Sequence, residues 1–144
     1  MNILLASDHN GVQLKAFVYN FLKKEGYTPI DLGPYNNDTV DYVDSAIQLG
    51  SIIDKGDVQR GILICGTGVG MSIAANRFKN VRAALIFDKY TAEHSIRHNC
   101  ANFFSLPSKY VEEQNINSII DSLVNTTFDG GRHMTRMNKK VKIK

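Results

Sequence analysis

Cys65 is where the reactive residue types of this sequence gather. It closes an apolar run, Gly61-Ile62-Leu63-Ile64-Cys65, that passes directly into Gly66, Gly68 and Gly70, with Thr67 between the first two. A short apolar run ending in glycines predicts a buried parallel strand opening into a tight loop, and residues 72–77 then read as helix. Such a loop turns backbone N–H groups and a helix N-terminus towards one point, where an anion can sit. A thiol held there should ionise more easily than a free one. The plainer alternative is a buried core cysteine followed by glycines that only make a turn, since free cysteine is among the most buried residue types. The spacing is not a dinucleotide fingerprint, because the third glycine follows the second by two residues, and no Lys-Ser or Lys-Thr follows as a P-loop requires. Neither a nicotinamide cofactor nor ATP is therefore the first expectation.

Asp8 and His9 form a second polar group, directly after the apolar stretch that opens the chain, and His98 stands further on. A thiol, a rigid set of amides, a carboxyl group and imidazoles can serve as base, oxyanion stabiliser and acid/base relay. Removing a proton beside a carbonyl creates an enediolate, and each well-placed donor to its oxygen is worth roughly 2.7–4 kcal/mol. Arg132, His133 and Arg136 near the end of the chain add cationic groups suited to a substrate phosphate, which arginine grips bidentately. His94 and His98 lie four apart on a predicted helix and could share a metal. A zinc site needs a third ligand at a recognisable spacing, so a solvent-facing or hydrogen-bonded pair is the expectation, with no metal and no cofactor.

These residues must be positioned by an alternation of strands and helices. Residues 2–7 read as the first strand, followed by a helix with Leu14, Phe17, Val18, Phe21 and Leu22 on one stripe and Lys15 mostly off it. Gly26 stops that helix. A second strand spans 28–32. Asp41 and Tyr42 lead into a helix with Val43, Ala46, Ile47, Gly50 and Ile53 inward, closed by Lys55-Gly56. After the glycine loop come a strand at 81–87, a helix at 91–99, a strand at 102–106, and a helix at 111–126 with Ile116, Ile119, Ile120 and Leu123 inward.

Strand–helix alternation with right-handed crossovers predicts an α/β three-layer sandwich around a five-stranded parallel sheet, Rossmann-like, in a single domain. Ligands bind such sheets at the carboxyl ends of strands, where strand order reverses. The Asp8-His9 loop and the Cys65–Gly70 loop both fall at carboxyl ends, and they are neighbours if the first strand lies beside the third. His98 and Asn99 end a helix. If that helix does not return to the carboxyl edge, they reach a partner subunit instead.

The 144 residues, 43% of them hydrophobic, suffice for one domain with one good core. No apolar run is long enough to span a membrane, and residues 3–6 lack the length and basic flank of a signal peptide. A cytoplasmic protein is expected. Two cysteines, Cys65 and Cys100, fit a reducing compartment without disulfides, which leaves the sequons at Asn37 and Asn125 without meaning. The formal charge is +3, but residues 132–144 hold six of the 17 Lys and Arg and no acid, so the remainder of the chain is at −3. The basic tail, from about residue 132, reads as a solvated end, a phosphate-reading arm or, more weakly, a nucleic-acid arm.

The motifs Ser7–Gly11 (SDHNG), Ile30–Gly33 (IDLG), Asp41–Asp44 (DYVD), Ile64–Asn76 (ICGTGVGMSIAAN), Arg82–Leu85 (RAAL), Arg97–Asn99 (RHN) and Phe128–Arg136 (FDGGRHMTR) span almost the whole chain in order. Together they resemble ribose-5-phosphate isomerase type B and the related allose-6-phosphate and galactose-6-phosphate isomerases. The resemblance implies a metal-free aldose–ketose isomerase, a homodimer or dimer of dimers with active sites built from two subunits. By position it implies Cys65 as the base moving a proton between the first two sugar carbons, with the amides of Gly66, Gly68, Val69 and Gly70 as the enediolate's anion hole and Thr67 bonding the reacting sugar. Asp8 and His98 match the residues that open the furanose ring, with Asn99, Asp41 and Tyr42 nearby. His9, Arg132 and Arg136 match phosphate contacts, and His133 assists. Met71 stands where some members carry a glutamate base, which puts this chain with the cysteine-using branch. It departs from the pattern at Lys109, where arginine is usual against phosphate, at Val43 in place of proline, and at Cys100 in place of aspartate. Lysine keeps the charge and loses the fork.

The leading expectation is interconversion of ribose 5-phosphate and ribulose 5-phosphate through an enediolate. A six-carbon sugar phosphate is the alternative substrate within the same chemistry. A sugar-phosphate sensor without catalysis is the alternative in another class, against which the joint presence of Cys65, Thr67 and His98 speaks.

Overall fold

The structure is a computed structural model and describes residues 1–54 and 60–139. Strand β1 (Asn2–Ser7) is followed by α1 (Val12–Lys24), β2 (Thr28–Asp31), α2 (Tyr42–Asp54), β3 (Arg60–Cys65), α3 (Val69–Ala75), β4 (Ala83–Leu85), α4 (Lys89–Asn99), β5 (Phe103–Pro107), α5 (Glu113–Asn125) and α6 (Gly131–Met137). The strands form one sheet in the order β2-β1-β3-β5-β4, every pairing parallel. β1 lies beside β3, with Ser7 opposite Ile64, so the two chemistry-bearing loops emerge side by side. The fold is the expected α/β sandwich.

Side chains alternate across the sheet, and each face has its own helices. Ile3, Leu5, Ile62, Ile64, Phe104 and Leu106 pack against Val18 and Leu22 of α1, Ile96 of α4, and Ile119, Ile120 and Leu123 of α5. Leu4, Ala6, Leu63, Cys65 and Phe103 face the other way, onto Ala46, Leu49 and Ile53 of α2 and Met71 and Ala75 of α3. Each fully buried Leu, Ile or Phe contributes about 1.5–3 kcal/mol. Strands buried on both faces explain why the sequence shows apolar runs instead of alternation.

Several elements differ from expectation. Lys15 is not off the inner stripe of α1 but 2% exposed: its ammonium is ion-paired with Asp31 and lies 5.0 Å from the centre of the Tyr35 ring. In α2, Ile47 is 48% exposed and Leu49 takes the inward place. The helix is turned so that Ser45 meets the sheet, where its hydroxyl donates to Ser7 O at 2.9 Å. α3 begins at Val69, inside the glycine stretch, and β4 shrinks to Ala83–Leu85 because it has a single neighbour, β5. α4 starts two residues early, at Lys89, on a capping box in which Asp88 accepts from Thr91 N and Thr91 Oγ1 accepts from Asp88 N. Arg132 to Arg136 are not an irregular end: they lie in α6, which packs on α4 with His133 buried and both arginines exposed. The Lys55-Gly56 helix stop and the tail from 140 lie outside the described residues. Among those described, no helix is long and apolar enough to cross a membrane, and both cysteines are free.

Candidate active site

Three loops converge at the carboxyl edge. Asp8 N donates to Ile64 O (2.9 Å), Ser108 N to Cys65 O (2.9 Å) and Lys109 N to Gly66 O (3.2 Å), tying the loops after β1 and β5 to the end of β3. Gly11 permits the first contact: a Cβ there would lie 2.5 Å from Ile64 O. The carboxylate of Asp8, 6% exposed, accepts from Asn10 N (2.8 Å) and Asn10 Nδ2 (3.4 Å). His9 Nε2 lies 3.2 Å from Asn10 Nδ2, while His9 Nδ1 is buried without a hydrogen-bond partner among the described residues.

The glycine loop wraps the sulfur of Cys65. Gly68 N donates to Sγ at 3.1 Å, and the amides of Thr67 and Met71 also favour negative charge there. Gly68 has φ +75 and caps α3, a left-handed conformation that favours glycine, and a Cβ on it would strike Leu85 Cδ1 at 2.4 Å. Ser105, buried on β5, donates to Gly68 O at 2.6 Å and fixes the loop from below. Thr67 is exposed, its Oγ1 accepting from Val69 N at 3.4 Å. The Tyr42 ring covers Gly70, where a Cβ would come within 2.6 Å of it. Asp41 Oδ1 accepts from Val43 N (2.9 Å), and the Lys109 stem passes over Gly66.

Burial pushes the Cys65 thiol up from its ordinary value, against the pull of the Gly68 amide and with the help of the nearby Asp8 charge. The expectation of an easily ionised thiol is thus corrected. The sulfur belongs to a residue only 5% exposed, and desolvation of a thiolate outweighs the amides turned towards it.

A second cluster sits elsewhere. His98 and Asn99 end α4 just before β5 begins, at the amino edge of the sheet, whereas Cys65 pairs with Pro107 at the far end of that strand. The length of β5, roughly 13 Å, separates the two levels. The His98 ring stacks on the His133 ring of α6 (centroids 4.3 Å, planes 7° apart), and His94 meets His98 edge-on at 4.8 Å. Burial, then His133 and His94, hold the His98 imidazole below its usual range, with Asp129 opposing. Arg97 binds Asp129 through Nε (3.2 Å to each oxygen) and Nη2 (3.1 Å). Arg132 and Arg136 are exposed on the same short helix as His133. Ligand atoms of His98, Asp129 and His133 lie within 4.8 Å of one another.

A sequence model of the ribose/galactose isomerase family matches residues 3–140. The chain belongs to this family. It is 37% identical to ribose-5-phosphate isomerase B of Escherichia coli, over 94% of this chain and 91% of that protein. Its fold superposes on the Clostridium thermocellum ribose-5-phosphate isomerase B with a TM-score of 0.92 at 42% identity, covering 95% and 93% of the two chains. The Mycoplasma genitalium ribose-5-phosphate isomerase B, solved with ribulose 5-phosphate bound, gives 0.90 at 40% identity over 95% and 91%.

Within one copy of this isomerase-family chain, Cys65, Thr67, the glycines, Val69, Asp8, His9, Tyr42, Asp41 and Lys109 gather on the carboxyl side. His98, Asn99, Arg132, His133 and Arg136 gather on the other. Sequence reasoning missed Ser105, Asn10 and Asp129. Ser105 carried a signal, a lone hydroxyl in the otherwise apolar strand Phe103–Pro107; such a residue must hydrogen-bond something. A groove of about 390 Å³ beside the glycine loop, lined by Tyr42, Ile47, Gly70, Ile73, Ala74 and Phe78 among others, is mainly apolar and is not where the reactive groups lie.

Proposed function

We propose that this chain interconverts ribose 5-phosphate and ribulose 5-phosphate, with Cys65 as the base. Asp8 and His98 move one proton from the anomeric hydroxyl to the ring oxygen and open the furanose. The Cys65 thiolate then takes the proton from C2 of the aldehyde form, leaving an enediolate whose oxygen charge the loop amides receive, while Thr67 orients the sugar. The proton returns to C1, the hydroxyl proton passes from O2 to O1, and the ketose results. His9, Lys109, Arg132, Arg136 and His133 hold the phosphate, with Asn99, Asp41 and Tyr42 lining the sugar.

The single observation that carries this reading is the Cys65 sulfur, 3.1 Å from Gly68 N and turned into a loop of amides, in a chain of this family. Relatives described as ribose-5-phosphate isomerase B, one with ribulose 5-phosphate bound, support the substrate. The separation of the two clusters supports a homodimer or larger assembly in which His98 and α6 of a second copy face Cys65 of the first. Apolar side chains exposed around the loop, Val69 (47%), Ile73 (60%) and Ile47 (48%), offer surface for that copy. We place the enzyme in the cytoplasm.

Turnover of ribose 5-phosphate by the purified protein, run beside allose 6-phosphate and galactose 6-phosphate, tests the reading. Ribose 5-phosphate should be isomerised, and Cys65→Ala should abolish turnover with phosphate-ester binding retained. A fully active Cys65→Ala protein would falsify the assigned base. Activity on a hexose alone would move the substrate and keep the chemistry, and binding without hydrogen exchange into solvent would mark a sensor.

A further inference from the structure

The chain enters α6 through Gly130 (φ +66) and Gly131 (φ +51), two residues of high backbone freedom set between the body of the protein and the helix that carries Arg132, His133 and Arg136. A helix of seven residues on such a joint needs an external tie to hold its register. His133, buried and stacked on His98, holds α6 itself on α4, and the near end of the joint is anchored by Asp129. Its carboxylate takes both Nε and Nη2 of Arg97, and its N–H donates to Arg97 O at 3.0 Å, so side chain and backbone clamp the same residue of α4. Arg97 is the direct neighbour of His98. The clamp therefore fixes, relative to α4, the point from which α6 departs, one joint away from the contact where the His98 and His133 rings stack at 4.3 Å.

We propose that Asp129 is a positioning residue of the isomerase site, a clasp that locks the phosphate-binding helix to the helix bearing the ring-opening histidine and sets the charge that His98 experiences. The inference rests on the isomerase reading above. His98 is faced by His94 and Arg97 from its own helix, by Asp129 from the turn before α6 and by His133 from α6. Among these, Asp129 alone favours the imidazolium, and it also neutralises Arg97. Removing the carboxylate exposes His98 to an uncompensated guanidinium and frees the joint, two effects that a loss of general stability would not produce together.

The test compares wild type, Asp129→Asn, Asp129→Glu and the charge exchange Arg97→Asp with Asp129→Arg, in the full-length protein. Imidazole titrations followed by NMR, and kcat and KM for ribose 5-phosphate, are read on each. Asp129→Asn should move the His98 titration to lower pH and raise KM about tenfold with a smaller change in kcat, because misplaced binding groups weaken capture of the phosphate. Asp129→Glu and the exchange should recover part of both. An Asp129→Asn protein with unchanged His98 titration and unchanged KM overturns the clasp. Should wild type turn over no sugar phosphate, the isomerase reading fails by itself, and the clasp is still judged by the NMR titration and its recovery in the exchange.

Discussion

In the proposed isomerisation Cys65 is the base, and its burial sets where on the pH scale it can act. Burial raises the thiol, so the thiolate, once formed, holds a proton more firmly than a free thiolate does. The sign of the pH dependence follows. Ionisation is delayed, so kcat/KM, which reports the free enzyme, should keep climbing as pH rises through and beyond the ordinary thiol range, without a plateau at neutrality; a flat profile from pH 7 upward would remove the thiolate from the mechanism. Cys65→Ser keeps the shape but cannot ionise usefully, and initial rates should fall about 10²–10⁴-fold, the usual contribution of a general base. Lys109, a proposed phosphate contact, has its stem over Gly66. Lys109→Arg restores a planar fork, and KM for the phosphate ester should fall severalfold in steady-state assays.

The elements around the sulfur explain both what the sequence showed and what it hid. Gly68 combines a positive φ with a Cβ position already filled by Leu85, so Gly68→Ala should cost about 1–3 kcal/mol in denaturant unfolding and disable turnover. At the cap of α4, Asp88→Ala should cost about 0.5–2 kcal/mol by the same measurement. The Asp88 carboxyl lies below its ordinary value because Thr91 N–H donates to it, so the cap's contribution is full above that ordinary value and fades as pH falls through the lowered one. The strands were legible because sheets buried on both faces print continuous apolar runs, and the glycine loop because its spacing is short and local. Lys15 was not: its pairing with Asp31 is a contact across elements, and a lysine on a helix reads as solvent-facing until a partner is seen. Ile47 and Leu49 lie two residues apart, and either satisfied the helical period until Ser45 took up its bond to Ser7. α6 was hidden by its charge, which read as a basic tail from about residue 132, and by a length of only seven residues. The direction in which Cys65 shifts depends on burial, which no local pattern records.

At the scale of the molecule, the same sheet that assembles Cys65 and Asp8 sends α4 away from them. If sites are shared between copies, inactive Cys65→Ala and His98→Ala proteins should complement one another when mixed and refolded. Random pairing of equally stable dimers should restore about a quarter of wild-type turnover, since half the dimers are mixed and each holds one intact site. No recovery would mean that each copy works alone. The strand order carries a separate consequence, for how the chain folds. Among the described strands β4 pairs with β5 alone, and β5 lies between it and β3, so β4 cannot join the sheet until a strand made later in synthesis has slotted into the gap. Because Ser105 of that same late strand secures Gly68, the nascent chain has no finished glycine loop around Cys65 while residues 103–107 are still inside the ribosome. The emerging polypeptide therefore carries Cys65 on an unsecured loop until the segment that follows α4 has emerged.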